Sequence, residues 1–175
     1  MTAERSQRGA LDGVRVVDLT TVLMGPMAAR ILGDYGADVI RIDAPTASTD
    51  VTGGAHGIGA IVLDSHRNKR SIVLDLKSDE GRAAALDLIA TADVLVTNMR
   101  ASALARLGLD ADTLRAEYPS LIHCVANGYG ADGPYADRAA YDDAIQAISG
   151  LAALPARIAG EPAYVPSVIL SLIHI

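Results

Sequence analysis

Two short β-branched runs, separated by one helix-length stretch, constrain this chain more than any other feature. Val14-Arg15-Val16-Val17-Asp18-Leu19 reads as a buried strand. Gly25-Pro26 then opens a helix, because proline at a first helical position has no hydrogen bond to lose. Met27, Arg30, Ile31 and Asp34 continue that helix until Gly36 ends it. Ala37 to Ile42 is the next strand. Strand, helix and strand within about thirty residues make one βαβ unit, and its parallel strands need cover on both faces.

The alternation continues along the chain. Ser71 to Leu76 and Asp93 to Thr97 read as strands. Between them, Ala85, Leu88 and Ile89 give Asp79 to Ala92 a helical period. Short helices over Ala103 to Leu107 and Asp112 to Glu117 precede a strand over Leu121 to Ala126. Tyr141 to Leu151 is a helix ended by Gly150, and the Gly-, Ser- and Thr-rich stretch from Pro45 to Gly59 is a mobile loop. The expected fold class is α/β, a Rossmann-like parallel sheet with helices on both faces. The sequence has neither an internal repeat nor a low-complexity tract.

Composition narrows the partners. Half of the 175 residues are apolar, enough for one sizeable core, but only 3% are aromatic and Trp and Phe are missing. Ala, Val, Leu and Ile must therefore fill the interior. A net charge of -6 argues against a general nucleic-acid binder, yet leaves room for a phosphorylated small ligand held by a few clustered cations. The single Cys124 excludes an internal disulfide and fits a reducing cytoplasm. Residues 1–10 are polar, read as a disordered tail with no secretory signal. The longest uncharged apolar run, Val165 to Ile175, is too short to span a bilayer. A soluble, cytoplasmic protein without membrane partners is expected.

In open α/β sheets, ligands bind beyond the carboxyl ends of the strands. Three polar clusters are expected there: Arg41-Ile42-Asp43, Arg67-Asn68-Lys69-Arg70-Ser71, and Asn98-Met99-Arg100 with Arg106 farther on. Guanidinium groups converging from separate strand ends suit a ligand with several phosphates, since each can bind an anion bidentately. Taken singly, each reads more readily as an ordinary solvated charge. Gly128-Tyr129-Gly130-Ala131-Asp132-Gly133 satisfies G-x-G-x-x-G, but Pro134 follows at once and no helix opens, so a permissive loop is the better reading. Cys124, between Ile122 and Val125, reads as core rather than nucleophile. His56 and His66 lack metal-ligand spacing, so no metal site is expected. Asp142 and Asp143 open a helix, where the dipole favours carboxylates.

The motifs, taken in order, resemble the class III CoA-transferase family of CaiB/BaiF type, which also contains α-methylacyl-CoA racemases. The matching stretches include Leu11 to Leu19, Gly25-Pro26, Leu32 to Ile42, Asn68 to Ile72, Ala92 to Val96, Asn98 to Arg100 and Arg106-Leu107-Gly108. Gly128-Tyr129-Gly130, Gly133-Pro134, Tyr141-Asp142, Gln146-Ala147 and Ser149-Gly150-Leu151 complete them. The resemblance covers about Leu11 to Ile169, with Ala101 standing where the family often has Pro. It implies that 11–169 is the incomplete, amino-terminal part of the large domain in a two-domain, interlocked homodimer. It also implies CoA held by Arg41, Asn68, Lys69, Arg70, Ser71, Asn98, Met99, Arg100 and Arg106. Coenzyme A or acyl-CoA would be substrate, with a carboxylic acid as acceptor and no permanently bound cofactor.

In enzymes of this family an aspartate attacks the acyl-CoA carbonyl, giving a mixed anhydride and then an aspartyl-CoA thioester. That aspartate follows a segment like Tyr164 to Ile169 by about two residues, and the matching place here holds Ser171. Residues 170–175 depart from the family pattern and read as foreign or as a truncation, leaving a fragment without its nucleophile and inactive. A racemase needs two acid/base groups, and its branch has His where Tyr141 stands here. A tyrosine, with pKa near ~10, is a weak base at neutral pH, so the transferase reading is preferred. A racemase and a non-catalytic CoA-binding module stay open as alternatives. A nicotinamide enzyme would need a glycine fingerprint that Thr20 to Pro26 does not supply.

Overall fold

The computed structural model describes residues 9–45, 60–130, 132–136 and 138–165. Most of the expected amino-terminal tail, the loop from Pro45 to Gly59 apart from its first residue, and the 170–175 tail lie outside the described residues. In chain order the elements are β1 (Arg15–Leu19), α1 (Met24–Asp34), β2 (Asp38–Asp43), α2 (Ala60–Ser65), β3 (Lys69–Val73), α3 (Asp79–Ile89) and β4 (Val94–Thr97). They continue with α4 (Ala101–Leu107), α5 (Ala111–Glu117), β5 (Ile122–Val125), α6 (Asp142–Ile148), a 3-10 turn (Leu151–Ala153) and α7 (Ala156–Ala159). All strand pairs are parallel, in the order β3-β2-β1-β4-β5.

Alternation along each strand divides the core into two layers. Val17, Leu19, Ile42 and Leu95 face α3, α4 and α5, where they meet Ala85, Ile89, Leu104, Leu109 and Leu114. Val16, Val39 and Val96 face α1 and pack on Ala29 and Ala37. Each such aliphatic side chain contributes roughly 1.5–3 kcal/mol on leaving water, which compensates for the near absence of aromatic residues. Caps fix the helix starts. Ser78 Oγ accepts from Gly81 N at 3.0 Å at the head of α3. Asp110 Oδ1 accepts from Thr113 N at 3.0 Å at the head of α5. Gly36 and Gly150, read as helix ends, both adopt positive φ.

The structure corrects several sequence-level expectations. β3 begins at Lys69, two residues before the expected strand, and registers Lys69 against Val39. As an edge strand it is largely exposed beyond its first residue, so no burial pattern marked its start. The helix expected over Tyr141 to Leu151 is shorter, α6 giving way to a 3-10 turn. Cys124 is exposed rather than core. On edge strand β5 it is His123 and Val125 that turn partly inward, while Ile122 and Cys124 face out. α2 and α7 were not anticipated, both being only one or two turns long.

Candidate functional site

The two ends of the parallel sheet carry different electrostatics. At the amino end the cations are paired. Arg70 donates to both oxygens of Asp38 at 2.7 Å, and Arg15 Nε reaches the same carboxylate at 3.0 Å. Those two hydrogen-bonded guanidiniums hold Asp38 below the usual carboxylate range, Arg70 foremost. Arg67 and Asn68 bind Asp34 at 3.0 and 2.6 Å, fastening the turn before β3 to the end of α1. Asn68 makes that turn with φ of 60°, a conformation asparagine tolerates.

Lys69 belongs to a buried polar seam beneath α1. Its Nζ donates to Asp18 Oδ2 at 2.8 Å and to the Pro26 carbonyl at 2.7 Å, and the two charged side chains are 1% and 0% exposed. Burial depresses the ammonium's pKa, and Asp18 opposes that shift. Asp18 also accepts from Thr20 N at 3.0 Å. Arg41 lies opposite Asp18 in the register, 15% exposed at its side chain and paired with Asp43. Its Nε is buried without a hydrogen-bond partner among the described residues. His66 adjoins this seam, and burial, with Arg41 and Lys69 nearby, lowers its pKa to about 4.

The carboxyl end differs. A pocket of about 500 Å³ opens there, lined by Ala44 after β2, Asp75, Leu76 and Lys77 after β3, Met99 after β4, Arg82 of α3, and Ala103, Arg106 and Leu107 of α4. Among the described residues neither Lys77, Arg100 nor Arg106 has an ion-pair partner. Arg82 pairs with the exposed Asp79 at 2.6 Å. Arg100 is exposed as the residue preceding α4, beside the pocket. Loose cations around an apolar floor suit a ligand with a phosphorylated end and an apolar portion.

The residues expected in one cluster therefore fall into three places. Met99, Arg100 and Arg106 gather at the carboxyl end. Arg41 is near that end but on the α1 side of the sheet. Asn68 and Arg70 stand at the amino end, about 15 Å away at ~3.3 Å per strand residue; Lys69 starts there by its backbone, but its ammonium reaches Asp18 and Pro26 under α1, and Ser71 lies exposed in the middle of β3. The expectation that Arg67 to Ser71 converge with the others beyond the strand ends is thus corrected: the segment starts β3 rather than ending a strand. Asn98 is 6% exposed, and its amide accepts from Thr21 N at 3.0 Å and donates to Thr21 O at 2.9 Å. That clasp joins the β1 and β4 exits, where the strand order reverses. Lys77 and Arg82 were missed, although Leu74-Asp75-Leu76-Lys77 directly follows a strand and could have signalled them.

Between β5 and α6 no helix forms among the described residues, and the glycine loop closes through Gly133 N to Gly130 O at 3.0 Å. The Tyr129 and Tyr135 rings meet there at a tilt of 54° with centroids 5.6 Å apart, and the Arg138 guanidinium lies 4.9 Å from the Tyr135 ring centroid. No helix among the described residues is long and apolar enough to cross a membrane.

The family model for CoA-transferase family III matches residues 11–173, and the chain belongs to this family. It is 39% identical over 172 residues to a succinate–glutarate CoA-transferase of Agrobacterium fabrum, covering 93% of this chain and 43% of that protein. A solved CAIB/BAIF family protein from Brucella suis superposes with a TM-score of 0.78 at 37% identity, over 93% of this chain and 45% of that one. A Mycobacterium tuberculosis protein does so with a TM-score of 0.82 at 32% identity, over 92% and 46%. The chain thus spans less than half the length of these relatives.

Proposed function

We propose that the full-length protein transfers coenzyme A between carboxylic acids, and that the pocket at the carboxyl end of the sheet receives the phosphate-bearing part of the CoA thioester. One observation supports this reading: Lys77, Arg100 and Arg106 have no ion-pair partner among the described residues around or beside that pocket, whereas Arg15, Arg67 and Arg70 at the amino end are neutralised. Arg41, with its unsatisfied Nε, is a further donor toward the ligand from the α1 side. Met99 and Leu107 supply apolar contact.

In the chemistry that accompanies this reading, a carboxylate oxygen of the enzyme attacks the thioester carbonyl and CoA leaves as thiolate. The thiolate attacks the enzyme's own acyl carbon in the resulting anhydride, freeing the first acid and forming an enzyme thioester. An acceptor carboxylate then repeats both steps in reverse order, so no water, metal or redox partner is consumed. The 175-residue chain, with Ser171 at the place aligned to the nucleophile, is expected to bind CoA but not to turn over.

The test is incubation of the full-length protein with succinyl-CoA and isotopically labelled glutarate, the acids named in the Agrobacterium relative. Labelled glutaryl-CoA is the expected product. Exchange of the α-proton without CoA transfer would establish a racemase instead. Arg106→Ala should weaken CoA binding by at least tenfold, in line with the loss of one charge-assisted contact, whereas Arg70→Ala should leave it within about twofold.

A further inference from the structure

We propose that Asp75 is a specificity-determining residue of the carboxyl-end pocket, its carboxylate accepting a hydrogen bond from an uncharged donor on the adenosine portion of CoA. This inference rests on the CoA reading above. Asp75 lines the pocket together with Lys77, Arg82 and Arg106, yet it forms an ion pair with none of them among the described residues. Arg82 turns instead to Asp79 of its own helix. Opposite charges that share a pocket without meeting give it an acidic part and a basic part. Such a pocket is complementary to a molecule that is anionic at one place and carries neutral donors at another. A phosphate beside an unpaired carboxylate is repelled, so the phosphates belong with Lys77 and Arg106. What suits Asp75 is an N–H or O–H without charge. Leu76, Met99 and Leu107 add apolar surface in the same pocket. Adenosine is the part of CoA that joins a flat apolar face to such donors, the adenine amine and the free ribose hydroxyl.

The acceptor is firmly placed. The Asp75 carbonyl accepts from Ser78 N at 3.0 Å and from Ser78 Oγ at 2.8 Å, and Leu74 N, one residue earlier, donates to Asp43 O at 2.9 Å. Asp75 Oδ1 accepts from Lys77 N at 3.0 Å, which leaves Oδ2 without a partner among the described residues. The turn and the ligand therefore use different oxygens of one carboxylate. Asp75→Asn keeps the turn with its single oxygen and offers the ligand an NH2 group, a donor where an acceptor stood.

The experiment titrates full-length parent and Asp75→Asn proteins calorimetrically with CoA and with phosphopantetheine, which lacks adenosine. Asp75→Ser, with one oxygen for the turn and no amide, serves if the first variant does not fold. We expect CoA affinity to fall about 10- to 100-fold, the range for one hydrogen bond to a charged group, and phosphopantetheine affinity to stay within about twofold. Two CoA analogues, one with hypoxanthine in place of adenine and one lacking the free ribose hydroxyl, identify the donor. The analogue without it binds the parent about as weakly as CoA binds the variant. An unchanged CoA affinity in the variant overturns the proposal. An equal loss for CoA and phosphopantetheine also overturns it, since that marks a displaced turn, as does a parent that binds both analogues as tightly as CoA. A parent that binds no CoA at all defeats the functional reading itself and this assignment with it, a result distinct from the other three.

Discussion

Individual side chains in this protein are assigned to one end of the sheet or the other by what they are bonded to. Lys69 and Asp18 are the extreme case, two fully buried charges whose mutual hydrogen bond and attachments to Pro26 and Thr20 leave neither free for a ligand. Removing one member should be severe: Asp18→Asn is expected to cost about 3–5 kcal/mol in urea unfolding, because it strands a buried ammonium. His66 adds a pH dependence. An imidazole that ionises near 4 when folded and near 6.5 when unfolded takes up its proton more readily in the unfolded chain. Stability is therefore full above about pH 6.5 and declines as the pH falls toward 4, by an amount on the order of 2–3 kcal/mol. His66→Gln should flatten that slope between pH 6.5 and 4, measured against the parent because His123 is shifted downward by burial as well. An identical slope in the variant would remove His66 from the account.

At the level of elements, two glycines separate tight packing from backbone conformation. A Cβ at Gly81 would stand 2.1 Å from the Asp75 carbonyl oxygen, so the first turn of α3 sits directly on the segment that walls the pocket. Gly81→Ala must push Asp75 to Lys77 outward, and the expected result is a loss of both thermal stability and CoA affinity. Gly108, by contrast, closes α4 with φ of 67° and has open space around it. Gly108→Ala should lower stability by only about 1–2 kcal/mol, with CoA affinity retained. Strands β1, β2 and β4 are legible because buried parallel strands must be runs of Val, Ile and Leu, α1 because periodicity and the stop at Gly36 agree, and α3 from its periodicity alone. The start of β3 is hidden because this edge strand is exposed on both faces beyond its first residue, so no alternation marks it, whereas β5 lies where the sequence places it and keeps its alternation, only with Cys124 on the outward face.

Across the whole molecule, what sequence could reveal of the site was its chemistry, not its polarity along the sheet. Met99 and Arg100 follow β4 and Arg106 lies in α4 beyond it, a placement legible because β4 is an unmistakable apolar run. Lys69 and Arg70 were placed with them because a cation flanking a strand looks the same from either end until the register is known. Lys77 went unnoticed because the end of β3 was set too late. Both lateral strands also present open backbone among the described residues, with Ile72, Val73 and Ile122 substantially exposed along them. The 175-residue chain by itself is accordingly expected to self-associate through these borders, giving a sedimentation coefficient that climbs with concentration. A single monomeric boundary at millimolar concentration, with well-dispersed amide resonances, would contradict this.

The clasp between Thr21 and Asn98 has a wider consequence. Sheets with this strand order commonly leave a gap where the winding reverses, and nucleotides settle into it. Here the gap is stitched shut by a pair of amide contacts. On the proposed reading CoA lies to one side of that gap, in the pocket over the neighbouring strand ends and α4. Adding NADH in large excess should accordingly leave CoA titrations unmoved, and unpicking the stitch with Asn98→Ala should loosen the loop without creating nicotinamide affinity.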